Sequence, residues 1–131
     1  MADKMTFELV SPERKLATGE ADMVTVPGMN GDLGAMPGHA PFLTTLRPGV
    51  VTVVNGSETT EYFVTGGFAE ISPEGAAVLA EEAVERSALT ADYLDARVTA
   101  AETALEGATD ENRQAVGLRL DDLRAMRAQL V

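Results

Sequence analysis

All six prolines and ten of the twelve glycines in this 131-residue chain precede residue 87; only Gly107 and Gly117 follow it. Turn formers that dense do not run through long helices, because proline removes a helical donor and glycine raises the entropy cost of ordering the backbone. The segment beyond is free of that restriction. The chain therefore reads as two parts with different grammar, 1–86 and 87–131, and its length suits one modest core plus an appendage.

In the first part, runs rich in Val, Thr, Phe and Tyr alternate with turn signals at intervals of roughly 8 to 12 residues, the pattern of a sandwich or barrel. Thr6 to Val10 alternates, with Phe7 and Leu9 on one face, before the turn Ser11-Pro12-Glu13-Arg14. Val24 and Val26 repeat the alternation ahead of Pro27-Gly28. Asn55-Gly56 predicts a hairpin between Val50–Val54 and Thr59–Thr65, since that dipeptide readily takes the positive φ angles of a tight turn. Phe68–Ile71 and Ala76–Leu79 flank Ser72-Pro73-Glu74-Gly75 as the last hairpin, where strand chemistry is expected to stop.

From Leu89 the period becomes helical. Leu94, Val98, Ala101 and Leu105 form one stripe, Thr90 is placed to cap it, Asp92 favours the positive end of the helix dipole, and Gly107 marks the stop. Thr109 is the expected cap of a second helix, with Asp110 and Glu111 in its first turn and Val116, Leu120, Leu123, Met126 and Leu130 along one face. A short Gly107-Ala108 link makes the two helices antiparallel neighbours. Helices this short are marginal alone, and Gly117 costs about 1 kcal/mol relative to Ala, so the hairpin is expected to be the most mobile element.

Ten Lys plus Arg against 21 Asp plus Glu leave a net charge of −11, which disfavours nucleic acid and anionic lipid as partners. The absence of Cys removes disulfides, zinc–thiolate sites and thiol nucleophiles together. Uninterrupted apolar stretches reach only about five residues, far short of the ~20 that span a bilayer. Met1 to Thr6 carries neither an apolar leader core nor an Arg-rich presequence, which predicts a cytoplasmic protein.

No catalytic, cofactor-binding or metal-ligating set emerges. His39 is the only imidazole, and none of Ser11, Ser57, Ser72 or Ser87 lies in a nucleophile elbow; His39, between Pro37-Gly38 and Ala40-Pro41, reads as a structural or interface residue. Glu81, Glu82 and Glu85 read as a solvated acidic face rather than a metal site. Gly28 to Gly34 lacks the Gly-Lys-Ser/Thr of a phosphate-binding loop and reads instead as a tight exposed loop presenting Met29, Asp32 and Leu33 to a partner. On residues alone, an acidic β-sandwich acting as ligand-binding or adaptor module is the reading.

Gly31-Asp32-Leu33-Gly34-Ala35-Met36-Pro37-Gly38-His39-Ala40-Pro41-Phe42-Leu43-Thr44 closely resembles the G-x-L-G-x-x-P-G-H-A-P-x-L-T signature of the epsilon subunit of bacterial F-type ATP synthases. Phe63 to Ile71 and Val78-Leu79-Ala80-Glu81 resemble two further blocks of that family, in matching order and spacing. The resemblance implies a β-sandwich of about ten strands followed by the two-helix hairpin, bound to the gamma subunit and seated on the c-subunit ring at the cytoplasmic face of the bacterial inner membrane. It implies a non-catalytic rotor subunit without a cofactor and without lipid insertion, with Asp32 and Leu33 near the c ring and His39 near gamma. It also implies that the hairpin extends, in some members, to the alpha/beta catalytic head and inhibits ATP hydrolysis.

Arg97, Arg113, Arg119, Arg124 and Arg127 carry half of the ten basic residues, and the last four are the expected head contacts. Against this stands pairing along the helix with Asp121, Asp122 and their neighbours, worth a few tenths of a kcal/mol each. Some family members bind ATP through [I/L]-D-x-x-R-A at the start of the hairpin. Leu89-Thr90-Ala91-Asp92-Tyr93-Leu94 lacks both charged positions there, and the fitting string Leu120-Asp121-Asp122-Leu123-Arg124-Ala125 falls in the second helix, so weak or absent ATP binding is expected.

Overall fold

The computed structural model describes residues 4–130; the leader reading rests partly on Met1–Asp3, which lie outside the described residues. The chain divides into two compact units, one ending at Arg86 and the other beginning at Ser87.

The first unit contains β1 (Met5–Val10), β2 (Lys15–Ala21), β3 (Met23–Gly28), β4 (Gly31–Ala35), β5 (Phe42–Leu46), β6 (Gly49–Asn55), β7 (Glu58–Val64), β8 (Gly67–Ser72), β9 (Gly75–Ala80) and β10 (Ala83–Glu85). Hydrogen bonding runs β10-β7-β6-β3-β5-β8-β9-β1-β2, with β4 on the free side of β3. β3 and β5 share only the pair Gly28 and Leu46, so the sheet folds over at that corner into a sandwich. β1 runs parallel to β9, and every other pairing is antiparallel.

The period-2 alternation read in β1 puts Met5, Phe7 and Leu9 inside, where they join Val24 and Val26 of β3, Val51 and Val53 of β6, Ile71 of β8 and Val78 of β9 in one core. Phe7 stacks on Tyr62, with ring centroids 6.2 Å apart. Burial, and secondarily the charge of Glu85, push the Tyr62 phenol above its ordinary value.

Three local readings are corrected. The β6–β7 turn is Gly56-Ser57 rather than Asn55-Gly56, since Asn55 already pairs with Glu58. Gly56 alone takes positive φ (63°), and a glycine first with an ordinary residue second is the II′ pattern that suits the twist of a hairpin. Gly31–Gly34, read as part of a loop, belongs to a strand paired with β3; only Met29-Asn30 turns, and Gly31 at φ 128° follows it. Strand structure also runs past Leu79, because β10 pairs with β7 from Ala83 to Glu85.

Asn55 is held where it is by a charged clip. Lys4 Nζ donates to Asn55 Oδ1 (2.7 Å) and Asp22 Oδ1 (2.9 Å), while Asp22 Oδ2 accepts from the Gly56 amide (2.6 Å). The Gly56 amide first, and the Lys4 ammonium second, hold the Asp22 carboxyl below its ordinary 3.8. A carboxyl depressed in the folded state stabilises fully above its unfolded value and stops doing so as pH falls through the folded one. The melting-temperature gap between the wild type and Asp22→Asn is therefore expected to be constant above about pH 5 and to close as pH drops below 3.8. Melting curves across that range check it; a gap unchanged at the acid end contradicts the clip.

In the second unit a single 3₁₀ turn, Arg86–Ala88, spans the junction and leads to α1 (Ala91–Glu106) and α2 (Arg113–Leu130). Thr90 caps α1 as expected: its backbone is extended and its Oγ1 accepts from Tyr93 N at 3.1 Å. Leu94 and Ala101 of the α1 stripe are buried and Val98 and Leu105 half-buried; in α2, Leu120 and Leu123 are buried. Gly107 ends α1 with φ −91°, a conformation open to any residue.

The predicted start of α2 moves. Thr109 does not cap it: its amide and hydroxyl both donate to Asn112 Oδ1 (2.8 and 3.1 Å), closing a turn that leaves Asp110 and Glu111 ahead of the helix. The link is thus longer than Gly107-Ala108: Thr109 O accepts from Arg113 N at 2.9 Å across that turn, and Asn112 O accepts from Val116 N at 3.0 Å within the helix.

Candidate functional site

β8 reads Gly67-Phe68-Ala69-Glu70-Ile71-Ser72, and because Ala69 and Ile71 are buried the alternation sends Phe68 and Glu70 outward. β9 is apolar throughout: Ala76, Val78 and Ala80 fill the core, which leaves Ala77 and Leu79 outside. Register assembles these into rows. Thr45 of β5 lies opposite Phe68, Phe68 opposite Leu79, and Leu79 opposite Val10 of β1. The next row runs Leu43, Glu70, Ala77, Glu8.

The result is an apolar outward sheet face. Phe68 is 53% exposed, Leu79 54% and Leu43 66%. Beside them lies a groove of about 430 Å3, lined by Val10, Pro12, Gly67, Phe68, Leu79 and Glu81 among others. Large apolar side chains grouped on one face of a sheet, rather than scattered, mark an interaction surface. The sequence carries the signal in the unbroken apolar run Ala76–Ala80, which makes β9 apolar on both faces, but sequence reasoning misses Leu43, Phe68 and Leu79 themselves.

The residues expected to touch partners fall in three places. Asp32 projects from β4 and reaches Arg47 Nη2 at 3.7 Å, while Leu33, on the opposite face, packs partly against the core rather than pointing wholly outward. Met29, at the β3–β4 turn, is 55% exposed. His39 sits in the loop before β5, which is pinned to the β8–β9 turn by Gly38 N donating to Pro73 O (2.9 Å). Its Nδ1 donates to Ala40 O (2.6 Å), an acceptor that fixes the proton on Nδ1, and its amide donates to Met36 O (3.0 Å). No serine or carboxylate is hydrogen-bonded to the His39 ring among the described residues.

The arginines are on the hairpin. Arg124 pairs with Glu102 at 3.0 Å and Arg127 with Asp95 at 2.7 Å, both across from α2 to α1, and Arg113 donates to Ala108 O at 3.4 Å. Leu120–Ala125, the string that fits the ATP motif, lies inside α2 with Leu120 and Leu123 buried and Arg124 engaged by Glu102. Its spacing is that of a packed helix face. No helix among the described residues is long and apolar enough to cross a membrane.

Comparison with known proteins agrees along nearly the whole chain. The family described as ATP synthase, Delta/Epsilon chain, beta-sandwich domain, matches residues 4–86. The ATP synthase epsilon chain of Parvibaculum lavamentivorans is 46% identical over 129 residues, covering 97% of this chain and 98% of the relative. That of Rhodobacter capsulatus is 48% identical over 126 residues, with 96% of each covered. A chain of the Euglena gracilis mitochondrial ATP synthase cryo-EM structure (OSCP/F1/c-ring, rotational state 1) shares the fold with TM-score 0.75 at 20% identity, over 98% of this chain and 82% of that one. The signature spanning β4 to β5, the family match over the sandwich and relatives of near-equal length converge: the chain belongs to the epsilon-chain family of the ATP synthase.

Proposed function

We propose that this chain is a central-stalk rotor subunit that couples rotation of the c-subunit ring to the gamma subunit, catalyses no reaction itself, and works at the cytoplasmic face of the bacterial inner membrane. The observation that carries the reading is the outward face of β5, β8, β9 and β1, where Leu43, Phe68 and Leu79 lie open on a stiff sheet. Torque passes without slip only through a body that does not deform, and a close-packed sandwich meets that need where a flexible linker would not.

Gamma is assigned to this face and to the neighbouring His39 loop. The c ring is assigned to the β3–β4 end, through Met29, Asp32 and the exposed part of Leu33. The hairpin is the regulatory part: Arg113, Arg119, Arg124 and Arg127 are its contacts to the alpha/beta head when it extends. In the structure Arg124 and Arg127 hold Glu102 and Asp95, so extension exchanges these partners for acidic groups on the head. The exchange is small in energy, because exposed pairs contribute about 0–1 kcal/mol each.

Membranes carrying the synthase without this chain are expected to hydrolyse ATP with little proton pumping, and adding back the full chain restores pumping. Adding back a chain lacking residues 88–131 is expected to restore gamma binding and pumping alike, since the core of the sandwich contains no hairpin residue. Full coupling without the chain would overturn the rotor reading. A folded truncation, checked by circular dichroism, that no longer holds gamma would overturn the assignment of gamma to the sandwich.

A further inference from the structure

The outward face has a charge at its centre. Glu70 is flanked by Phe68 on its own strand, by Leu43 across on β5 and by Ala77 across on β9. It is exposed, and it makes no ion pair or side-chain hydrogen bond among the described residues. Glu8, at the end of the same row, differs: its carboxylate has Lys15 Nζ at 3.7 Å.

A partner that covers Phe68, Leu79 and Leu43 also strips water from the carboxylate among them. An ionised group that is desolvated without a counter-charge opposes association strongly. The occupant must therefore bring a cation to that spot. A second copy of this chain does not qualify, because each copy carries a net charge of −11 and would bring further carboxylates to the same face.

We propose that Glu70 is a specificity-determining residue of the gamma interface, and that the apolar patch of gamma seated on Phe68 and Leu79 presents an arginine or lysine to it. This rests on the assignment of gamma to this face. Charge pairing of this kind selects the partner and fixes register more than it adds raw affinity.

The test measures binding of the full chain to purified gamma at low and high salt, for the wild type, Glu70→Gln, Glu70→Lys and Phe68→Asp, with melting temperatures as folding controls. Glu70→Gln is expected to weaken binding roughly tenfold to a hundredfold, on the scale of a lost hydrogen bond to a charged group, and to flatten the salt dependence. Glu70→Lys should weaken it further, and reversing one basic residue of gamma to glutamate should restore it. If both Glu70 variants bind like the wild type while Phe68→Asp fails, the face is right and the charge pairing is wrong. If all three bind like the wild type, gamma sits elsewhere. A chain that dimerises alone, and does so only with Phe68 intact, would overturn the choice of occupant.

Discussion

A full-length chain carrying Phe68→Asp and Leu79→Asp together is expected to stay folded and to lose gamma by about three orders of magnitude in affinity, as measured by calorimetric titration. The size follows from the geometry. The two side chains are directly opposite on adjacent strands and each is about half exposed, 53% and 54%, so they form one contiguous surface on the face. Replacing them removes two apolar anchors and leaves two charges to be desolvated; anchors of this kind contribute about 2 kcal/mol or more each, and a loss near 4 kcal/mol is a factor of about a thousand. Within the free chain the cost is smaller. Like charges directly opposite on a sheet destabilise by about 0.2–1 kcal/mol, a drop of a few degrees in a domain this size. Unchanged gamma affinity in a variant that melts normally would remove the outward face from the interface.

The strands that stand out between turn signals are legible from their residues alone. β1, β3, β6, β7, β8 and β9 all carry Val, Phe, Tyr, Ile or Leu in short runs, and the core they form is the one their patterns select. The remaining four strands lack that signal for separate reasons. β2 (KLATGEA) sits at the edge of the sheet beyond an irregularity at Leu9 and Val10, and buries only Ala21. β4 reads as a loop because Gly31 and Gly34 dominate it, although its register on β3 is regular from Val24 to Gly28. β5 exposes Phe42 and Leu43 on its two faces, and β10 is three residues long. Edge strands take their structure from a neighbour rather than from their own side chains, so their own composition says little.

The site divides the same way. His39 and Asp32 stand out because they lie in an unusual string of Gly and Pro whose positive φ angles, at Gly31 and Gly38, shape two turns. Phe68 and Leu79 do not, because an outward-facing Leu and an inward-facing Leu look alike until register shows that Ala69 and Val78 are the residues taken into the core. The hairpin arginines are legible as basic residues, but their partners are not. Asp95 and Glu102 meet Arg127 and Arg124 only because the two helices run antiparallel, which places residues 32 and 22 positions apart side by side.

Gly67→Ala and Gly117→Ala are the same chemical change with opposite expected outcomes. Gly67 opens β8 with φ 133°, a backbone conformation that L side chains rarely adopt, and a Cβ there would overlap the Leu79 carbonyl oxygen and come within 2.9 Å of Ala80 Cα. Neither neighbour can step aside cheaply, since both belong to the backbone of β9, which pairs with β8 along its whole length from Gly67–Ala80 to Ser72–Gly75. Positive-φ strain alone is of order 1–3 kcal/mol, and the overlap adds to it, so Gly67→Ala is expected to cost about 3 kcal/mol or more and to lower the sandwich melting temperature by more than about 10 °C. The damage falls beside the docking face, because pushing β9 away from Gly67 separates Leu79 from Phe68 in the next pair of the ladder. Gly117, inside α2, has nothing within 4 Å of its would-be Cβ and an ordinary helical φ, so Gly117→Ala is expected to stabilise the hairpin by up to about 1 kcal/mol. Thermal melts of the two variants decide the matter. A Gly67→Ala chain that melts with the wild type would mean that β8 does not begin in the left-handed region, and the register that brings Phe68 beside Leu79 would lose its main geometric support.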